Sequence, residues 1–254
     1  MEFLRVTEDE GVSIITINRP PANAMSQALI GEIEEAMNSI EANNSTRVVV
    51  IHGEGRFFSA GADIKEFLQV PSIEDHAAKA QALFERLENS NKPVIASIHG
   101  AALGGGLELA MSCHIRYVST TAKLGLPELS LGIIPGFGGT QRLPRYVGVA
   151  KAAEMMFTSD AISGSEAVAA GLATAAYPEE ELLAETLKIA KKIALKSPLA
   201  LKATIDLLAY SKAKNFYDGI DAEAQAFGEI FKSADAKEGI EAFIEKRQPI
   251  FKGK

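Results

Sequence analysis

Pro93-Val-Ile-Ala-Ser-Ile98-His99-Gly-Ala-Ala-Leu-Gly104-Gly105-Gly106-Leu-Glu108-Leu-Ala-Met111 decides how this chain folds. Its first six residues are almost wholly apolar, the pattern of a strand covered on both faces. The glycines that follow let the backbone come close to a ligand, and the helix that starts among them exposes unpaired N–H groups and the positive end of its dipole. A helix start of this kind attracts an anion. Glu108 comes three residues after Gly105, so it shares that helical face and leans back toward the helix start. A carboxyl and a backbone donor therefore face one small volume. A tight turn beside a surface glutamate is the plainer explanation, but Leu107, Leu109, Ala110 and Met111 surround Glu108, and buried unpaired glutamates are rare.

Working outward, residues 12–18 alternate and are β-branched, and residues 47–53 contain Val-Val-Val-Ile; both read as strands. Helical patterns separate them. One covers residues 27–42 behind the N-cap candidate Ser26, and one covers residues 73–87 behind Ser72, with Asp75 three positions on. Strand, helix, strand, helix, strand implies right-handed crossovers and a parallel sheet, an α/β fold. After residue 145 Ala-, Lys- and Glu-rich helical segments dominate, with one short strand expected near residues 173–177. No linker, repeat or low-complexity run interrupts the chain. The expected organisation is an αβ core over residues 1–196 and a helical carboxyl-terminal region over 197–254, whose last helices (216–231 and 236–247) carry apolar residues at helical spacing.

Composition narrows the function classes. The 254 residues are 47% apolar and 23% charged, with 21 Gly and 10 Pro, an ordinary globular balance that excludes disorder, collagen and coiled coil. A net charge of −7 and no Lys/Arg run argue against nucleic acid as a partner, because phosphate neutralisation needs clustered positive charge. The longest apolar run, residues 93–113, contains three consecutive glycines, His99 and Glu108. A central acid costs roughly 2.5–3.5 kcal/mol on insertion scales, so no membrane span is expected. The amino terminus is acidic and lacks the apolar stretch of a secretory signal. A single cysteine, Cys113, sits in apolar sequence and fits a reducing, cytoplasmic setting.

Two further segments carry chemistry. Residues 56–65 read Arg-Phe-Phe-Ser-Ala60-Gly61-Ala62-Asp63-Ile64-Lys65, small residues whose turn can point amides outward while Asp63 caps a short helix. Residues 124–143 include Pro127-Glu128 and Pro135-Gly136-Phe137-Gly138-Gly139. Glu128 again stands among apolar neighbours, where capping a helix is its simpler role. Two acids in apolar surroundings, 20 residues apart and with glycine-rich donors nearby, suit proton transfer around a carbonyl whose oxygen becomes negative. Close carboxyls do not both ionise easily, so the pair is expected to titrate as a unit.

On these residues the chain resembles the enoyl-CoA hydratase/isomerase (crotonase) family. Asn18-Arg19-Pro20, residues 58–65, residues 99–111, Pro127-Glu128, residues 134–143 and the terminal Phe243-Ile-Glu-Lys-Arg247 match its motifs in order and spacing, over effectively the whole chain. The resemblance implies a crotonase-like spiral of ββα units with a helical C-terminal trimerisation region, forming a homotrimer or a hexamer of paired trimers. It implies an acyl-CoA substrate whose thioester oxygen lies between the amides of Ala60 and Gly105, and Glu108 and Glu128 as the catalytic acids. Ala60, Gly61, Ala62, Asp63, Ile64 and Gly105 would line the CoA, with Phe227 and Lys246 reaching its nucleotide end. Since both acid positions are filled, hydration of a 2-enoyl-CoA to a 3-hydroxyacyl-CoA is the implied reaction, with an isomerase, a thioester hydrolase or a non-catalytic RNA-binding relative as alternatives.

Neither G-x-G-x-x-G after a strand nor G-x-x-x-x-G-K-[ST] occurs, and the four histidines lack metal-ligand spacing, so neither metal nor separate cofactor is expected, CoA being part of the substrate. Pro20-Pro21-Ala22-Asn23-Ala24-Met25 is a shorter, proline-bearing version of the family's usual first loop, so different contacts to the CoA ribose or phosphate side are expected there. His114 stands where many relatives have Asp and reads as structural. The acyl tail is expected to border residues 67–71 and the helix bearing Leu83, Phe84 and Leu87.

Overall fold

The computed structural model describes residues 1–67, 69, 71–213 and 216–254. It opens with a hairpin: β1 (Leu4–Asp9) turns at Glu10 and Gly11, with φ of 47° and 79°, and returns as β2 (Val12–Ile17). Then come α1 (Gln27–Ala42), β3 (Val48–Gly53), α2 (Ile64–Phe67), α3 (Ile73–Glu88), β4 (Val94–Ile98), β5 (Ala101–Leu103), α4 (Gly105–Ser112), β6 (Ile115–Ser119) and β7 (Lys123–Gly125). A 3₁₀ turn (Pro127–Leu131) leads into α5 (Gly139–Val147), α6 (Val149–Thr158), β8 (Ile162–Ser163), α7 (Gly164–Ala169) and β9 (Ala175–Tyr177). Four helices close the chain: α8 (Glu179–Ala194), α9 (Pro198–Ala213), α10 (Phe216–Phe231) and α11 (Ala234–Glu245).

The main sheet runs β1-β2-β3-β4-β6-β9 and is parallel from β2 onward, with β1 as an antiparallel edge. A smaller sheet, β5-β7-β8, stands beside it. The strand periodicity of two divides β3 between two cores. Val49 and Ile51 face Leu29, Ile33 and Met37 of α1 and Phe84 and Leu87 of α3, whereas Val48 and Val50 face Leu182 and Ala190 of α8. Helix starts follow local chemistry: Ser26 Oγ accepts from Leu29 N–H at 3.1 Å and Ser72 Oγ from Asp75 N–H at 3.1 Å, caps worth about 1 kcal/mol each.

This topology places the site. Parallel β2, β3 and β4 deliver their carboxyl ends to one edge of the sheet, and the segments leaving them are laced together by bridges pairing Ser59 with Ala102 and Met25 with Ala62. At the far end of the chain α9 begins at Pro198, and buried Asp235 ties the terminal segment down. Its carboxylate accepts from Ser197 Oγ at 2.8 Å, Lys252 N–H at 2.7 Å and Gly253 N–H at 3.0 Å. Phe227, Phe231, Phe243 and Ile244 of α10 and α11 are nevertheless 69, 60, 85 and 72% exposed. Among the described residues no helix is long and apolar enough to cross a membrane.

Candidate active site

Gly104 ends β5's loop with φ 47° and ψ −127°, a conformation open to glycine and not to residues with a Cβ. It turns the chain so that α4 starts at Gly105 with Glu108 in its first turn, 1% exposed. One face of Glu108 is fully occupied. Its Oε1 accepts from Phe137 N–H at 2.8 Å and from Gly139 N–H at 2.7 Å. The loop supplying those donors is itself anchored from outside: Gln81 Nε2 donates to Gly136 O at 2.8 Å, and Arg142 donates to Phe137 O at 2.9 Å and to Glu88 at 2.9 Å. Burial drives the Glu108 carboxyl up to about 7, and the charge of Glu128 adds to that rise, while the two amides oppose it.

Glu128 is held differently. The 3₁₀ turn carries it toward Gly104, and its Oε2 is buried with no hydrogen-bond partner among the described residues. It does not cap a helix with its side chain. Burial raises its carboxyl above the ordinary value as well. Two acids thus meet one cavity, one clamped and one with an open oxygen.

The cavity has a volume of about 560 Å³, within the range of small-molecule sites. Ala60, Gly61, Ala62, Ile64, Gly105, Glu108 and Glu128 all line it, as expected from the sequence. The remaining wall is apolar, and much of it was not foreseen: Ile73 and Ala77 of α3, then Leu131, Ile133, Ile134 and Phe137. Phe67 belongs to this wall, and Leu68 and Val70 lie outside the described residues. Leu83, Phe84 and Leu87 are not on the wall but in the core behind it, where the Phe84 ring meets that of Phe137 with centroids 6.1 Å apart.

Two expectations need correction. The Ala60 N–H is not available to a ligand, because it donates to Ala22 O at 2.9 Å. The donor that faces Gly105 belongs to Ala62, whose nitrogen lies 3.4 Å from where a Cβ on Gly105 would sit. Neither the Ala62 nor the Gly105 amide has an acceptor among the described residues. Asp63, second, turns away from the cavity: it pairs with Arg19 at 2.6 Å and accepts from Lys65 N–H at 3.2 Å, and although burial pushes its carboxyl up, the Arg19 guanidinium and the neighbouring amides together hold it below the ordinary range. Phe227 and Lys246, expected at the nucleotide end of CoA, do not line this cavity. Phe227 stacks near Phe231, with centroids 6.0 Å apart, and Lys246 ends α11 at φ 55°.

The histidines have other duties. His114 Nδ1 accepts from Val94 N–H at 3.0 Å, His52 pairs with Thr16 at 2.9 Å, and His99 meets Gly55 O at 3.0 Å. His76 packs its ring between Phe67 and Phe137, with centroids 5.4 and 5.7 Å away. Cys113 is buried, and burial pushes its thiol up to about 12, which leaves it unreactive.

Known proteins share the sequence and fold of this chain. The family model described as enoyl-CoA hydratase/isomerase matches residues 7–254. A probable enoyl-CoA hydratase of Bacillus subtilis (strain 168) is 51% identical, with 100% of both chains covered. A crotonyl-CoA hydratase of Syntrophomonas wolfei is 39% identical over 98% of each. Among solved structures, an enoyl-CoA hydratase from Bacillus anthracis superposes with a TM-score of 0.95 at 37% identity, covering 99% of this chain and 100% of that one. A family model matched over residues 7–254, a relative 51% identical over its full length and a fold shared at a TM-score of 0.95 make this chain a member of the enoyl-CoA hydratase/isomerase family.

Proposed function

We propose that the protein is an enoyl-CoA hydratase, a hydro-lyase that adds water across the 2,3 double bond of a 2-enoyl-CoA to give a 3-hydroxyacyl-CoA. The single observation that carries this reading is the pair of carboxyls on one apolar cavity, Glu108 clamped by two amides and Glu128 with a buried open oxygen. A reaction needing only one acid would leave the second as an unexplained burial cost. Full-length relatives named as hydratases support the same conclusion.

In this reading the thioester oxygen accepts from the free amides of Ala62 and Gly105, the latter at the positive end of α4. Water sits between the two carboxyls. Its oxygen bonds to the β-carbon while one of its protons passes to the carboxylate, and a proton reaches the α-carbon from the protonated acid. The pair ends with the proton count with which it began. The negative charge that develops on the thioester oxygen meets preorganised donors, and no separate cofactor or metal enters. The apolar wall of Ile64, Phe67, Ile73, Ile133 and Phe137 receives the acyl tail.

The exposed phenylalanines of α10 and α11 support assembly as a homotrimer or hexamer, since patches of this kind mark interfaces. Phe227 and Lys246 would then contribute to the nucleotide end of CoA across a subunit boundary. The single, buried Cys113 supports a reducing cytoplasmic setting. The deciding experiment incubates the protein with crotonyl-CoA and follows the conjugated-enoyl absorbance together with product identity. Loss of absorbance with formation of 3-hydroxybutyryl-CoA is expected, and a double-bond shift or free CoA would overturn the reading.

A further inference from the structure

What a side chain would strike divides the glycines of this chain into kinds. At Gly53, Gly100, Gly106 and Gly164 an added Cβ would lie 2.2, 1.9, 2.3 and 1.9 Å from a main-chain oxygen. Backbone packed on backbone explains those four. Gly104 and Gly139 meet something else. A Cβ at Gly104 would lie 2.7 Å from Glu128 Oε1, and one at Gly139 would lie 2.9 Å from Glu108 Oε1 and 3.1 Å from Glu108 Cγ.

Resting on the hydratase reading, we infer that Gly139 and Gly104 are positioning residues for the reaction, each omitting its side chain so that one of the two carboxylates occupies the space. The two acids come from different elements, α4 and the 3₁₀ turn, and each glycine comes from an element other than the acid it seats. Gly104 starts the helix that bears Glu108 yet seats Glu128. Gly139 starts α5 and seats Glu108, while its own N–H supplies one of the two bonds to that carboxylate. The seats therefore set where the acids stand relative to each other.

The physical test of a seat is that filling it spares the fold and moves the acid. A methyl group on Gly139 meets the flexible ends of Glu108 and of Leu126, whose Cδ1 would be 2.9 Å away. Both can rotate aside. Glu108 cannot clear the methyl and also keep Oε1 at 2.8 and 2.7 Å from the Phe137 and Gly139 amides. Gly139 opens α5 outside the positive-φ region, so alanine strains no backbone there and suits a helix. Gly104, at φ 47°, adds backbone strain to the same displacement and is the less clean site.

The experiment compares Gly139→Ala, Glu108→Asp and the double variant, with Gly31→Ala on the exposed face of α1, where nothing lies within 4 Å, as the matched control. Gly139→Ala is expected to lower kcat for crotonyl-CoA by about 10²-fold, the usual cost of misplacing a reacting group by about 1 Å, with KM within about twofold. Glu108→Asp withdraws the carboxylate by one methylene and so clears the methyl, and the double variant's kcat is expected to be at least about tenfold higher than the two single losses multiplied together predict. Gly31→Ala should match the wild type. Isotope-edited infrared titration of the Glu108 carboxyl gives a readout that needs no turnover: losing the two amides should move its midpoint upward in Gly139→Ala. If the wild type does not hydrate crotonyl-CoA, the hydratase reading falls while the infrared titration still decides the seat. Wild-type kcat and an unmoved midpoint in Gly139→Ala, or single effects that simply multiply, would overturn the inference.

Discussion

Glu108 and Glu128 share a cavity and a chemical type, yet their surroundings have little in common. Glu108 is a helical residue held by two main-chain donors, in a loop that is itself pinned by Gln81 and Arg142. Glu128 rides on a 3₁₀ turn and leaves a buried oxygen unsatisfied. The first arrangement fixes an atom in space; the second keeps hydrogen-bonding capacity in reserve. An unsatisfied buried acceptor costs on the order of 1–3 kcal/mol, and a fold retains that cost where a ligand relieves it. Charge separates them too, because the amides that hold Glu108 also ease its ionisation, whereas Glu128 faces burial with little help.

The largest effects come from removing either acid's proton chemistry while keeping its shape. Glu108→Gln and Glu128→Gln are each expected to slow hydration of crotonyl-CoA by about 10²- to 10⁴-fold, with CoA affinity nearly unchanged, as measured by steady-state kinetics and calorimetry. Near-wild-type turnover in either variant would remove the two-acid reading. The next effect breaks the contrast between Ala60 and Ala62. Replacing the Ala62 amide by an ester through hydroxy-acid incorporation should cost about 10²- to 10³-fold in kcat. The same replacement at Ala60 loses only the bond to Ala22 and should leave kcat within a few-fold.

These residues also show how far the chain could be read without coordinates. Ser26 and Ser72 caps, the β-branched interior of β3 and the turn into α4 are local patterns, and the structure has them where the local chemistry indicates. The antiparallel β1 and the short β5, β7 and β8 were not legible, because three or fewer residues, or an exposed edge, carry no periodicity. Glu108 and Glu128 stood out as acids in apolar sequence. Their holders did not: the Phe137 and Gly139 amides are main-chain groups, anonymous in sequence, and reach Glu108 from 29 and 31 residues away. The error at Ala60 has the same origin, since only the folded approach of Ala22 occupies that N–H. Asp63 read as a ligand-side acid because its partner Arg19 lies 44 residues upstream.

The difference in burial also predicts a pH-dependent stability. Glu108 titrates near 7 in the folded chain against an ordinary value of 4.5, so between those values the folded state keeps a proton that the unfolded state has released. Stability from this group is therefore lost as pH rises through that window and is level above it. Glu108→Gln removes the loss. Its unfolding free energy should equal the wild type's below about pH 4.5 and exceed it by up to about 3 kcal/mol above pH 7, measured by denaturant titration across pH. Glu128→Gln should act in the same direction, since burial raises that carboxyl too. A stability gain at low pH, or none at high pH, would contradict the assignment of burial as the dominant influence on Glu108.

The smallest effect asks from which side the loop holding Glu108 is secured. Gln81 reaches Gly136 O from α3 in an exposed setting, whereas Arg142 reaches Phe137 O from α5 at 9% exposure. Water can replace the first donor but not easily the second. Gln81→Ala should therefore cost about 1 kcal/mol or less in stability, the net worth of one solvent-accessible hydrogen bond, and change kcat by no more than a few-fold. A loss of kcat comparable to that of Glu108→Gln would mean that α3 governs the clamp and that the Arg142 side merely follows it.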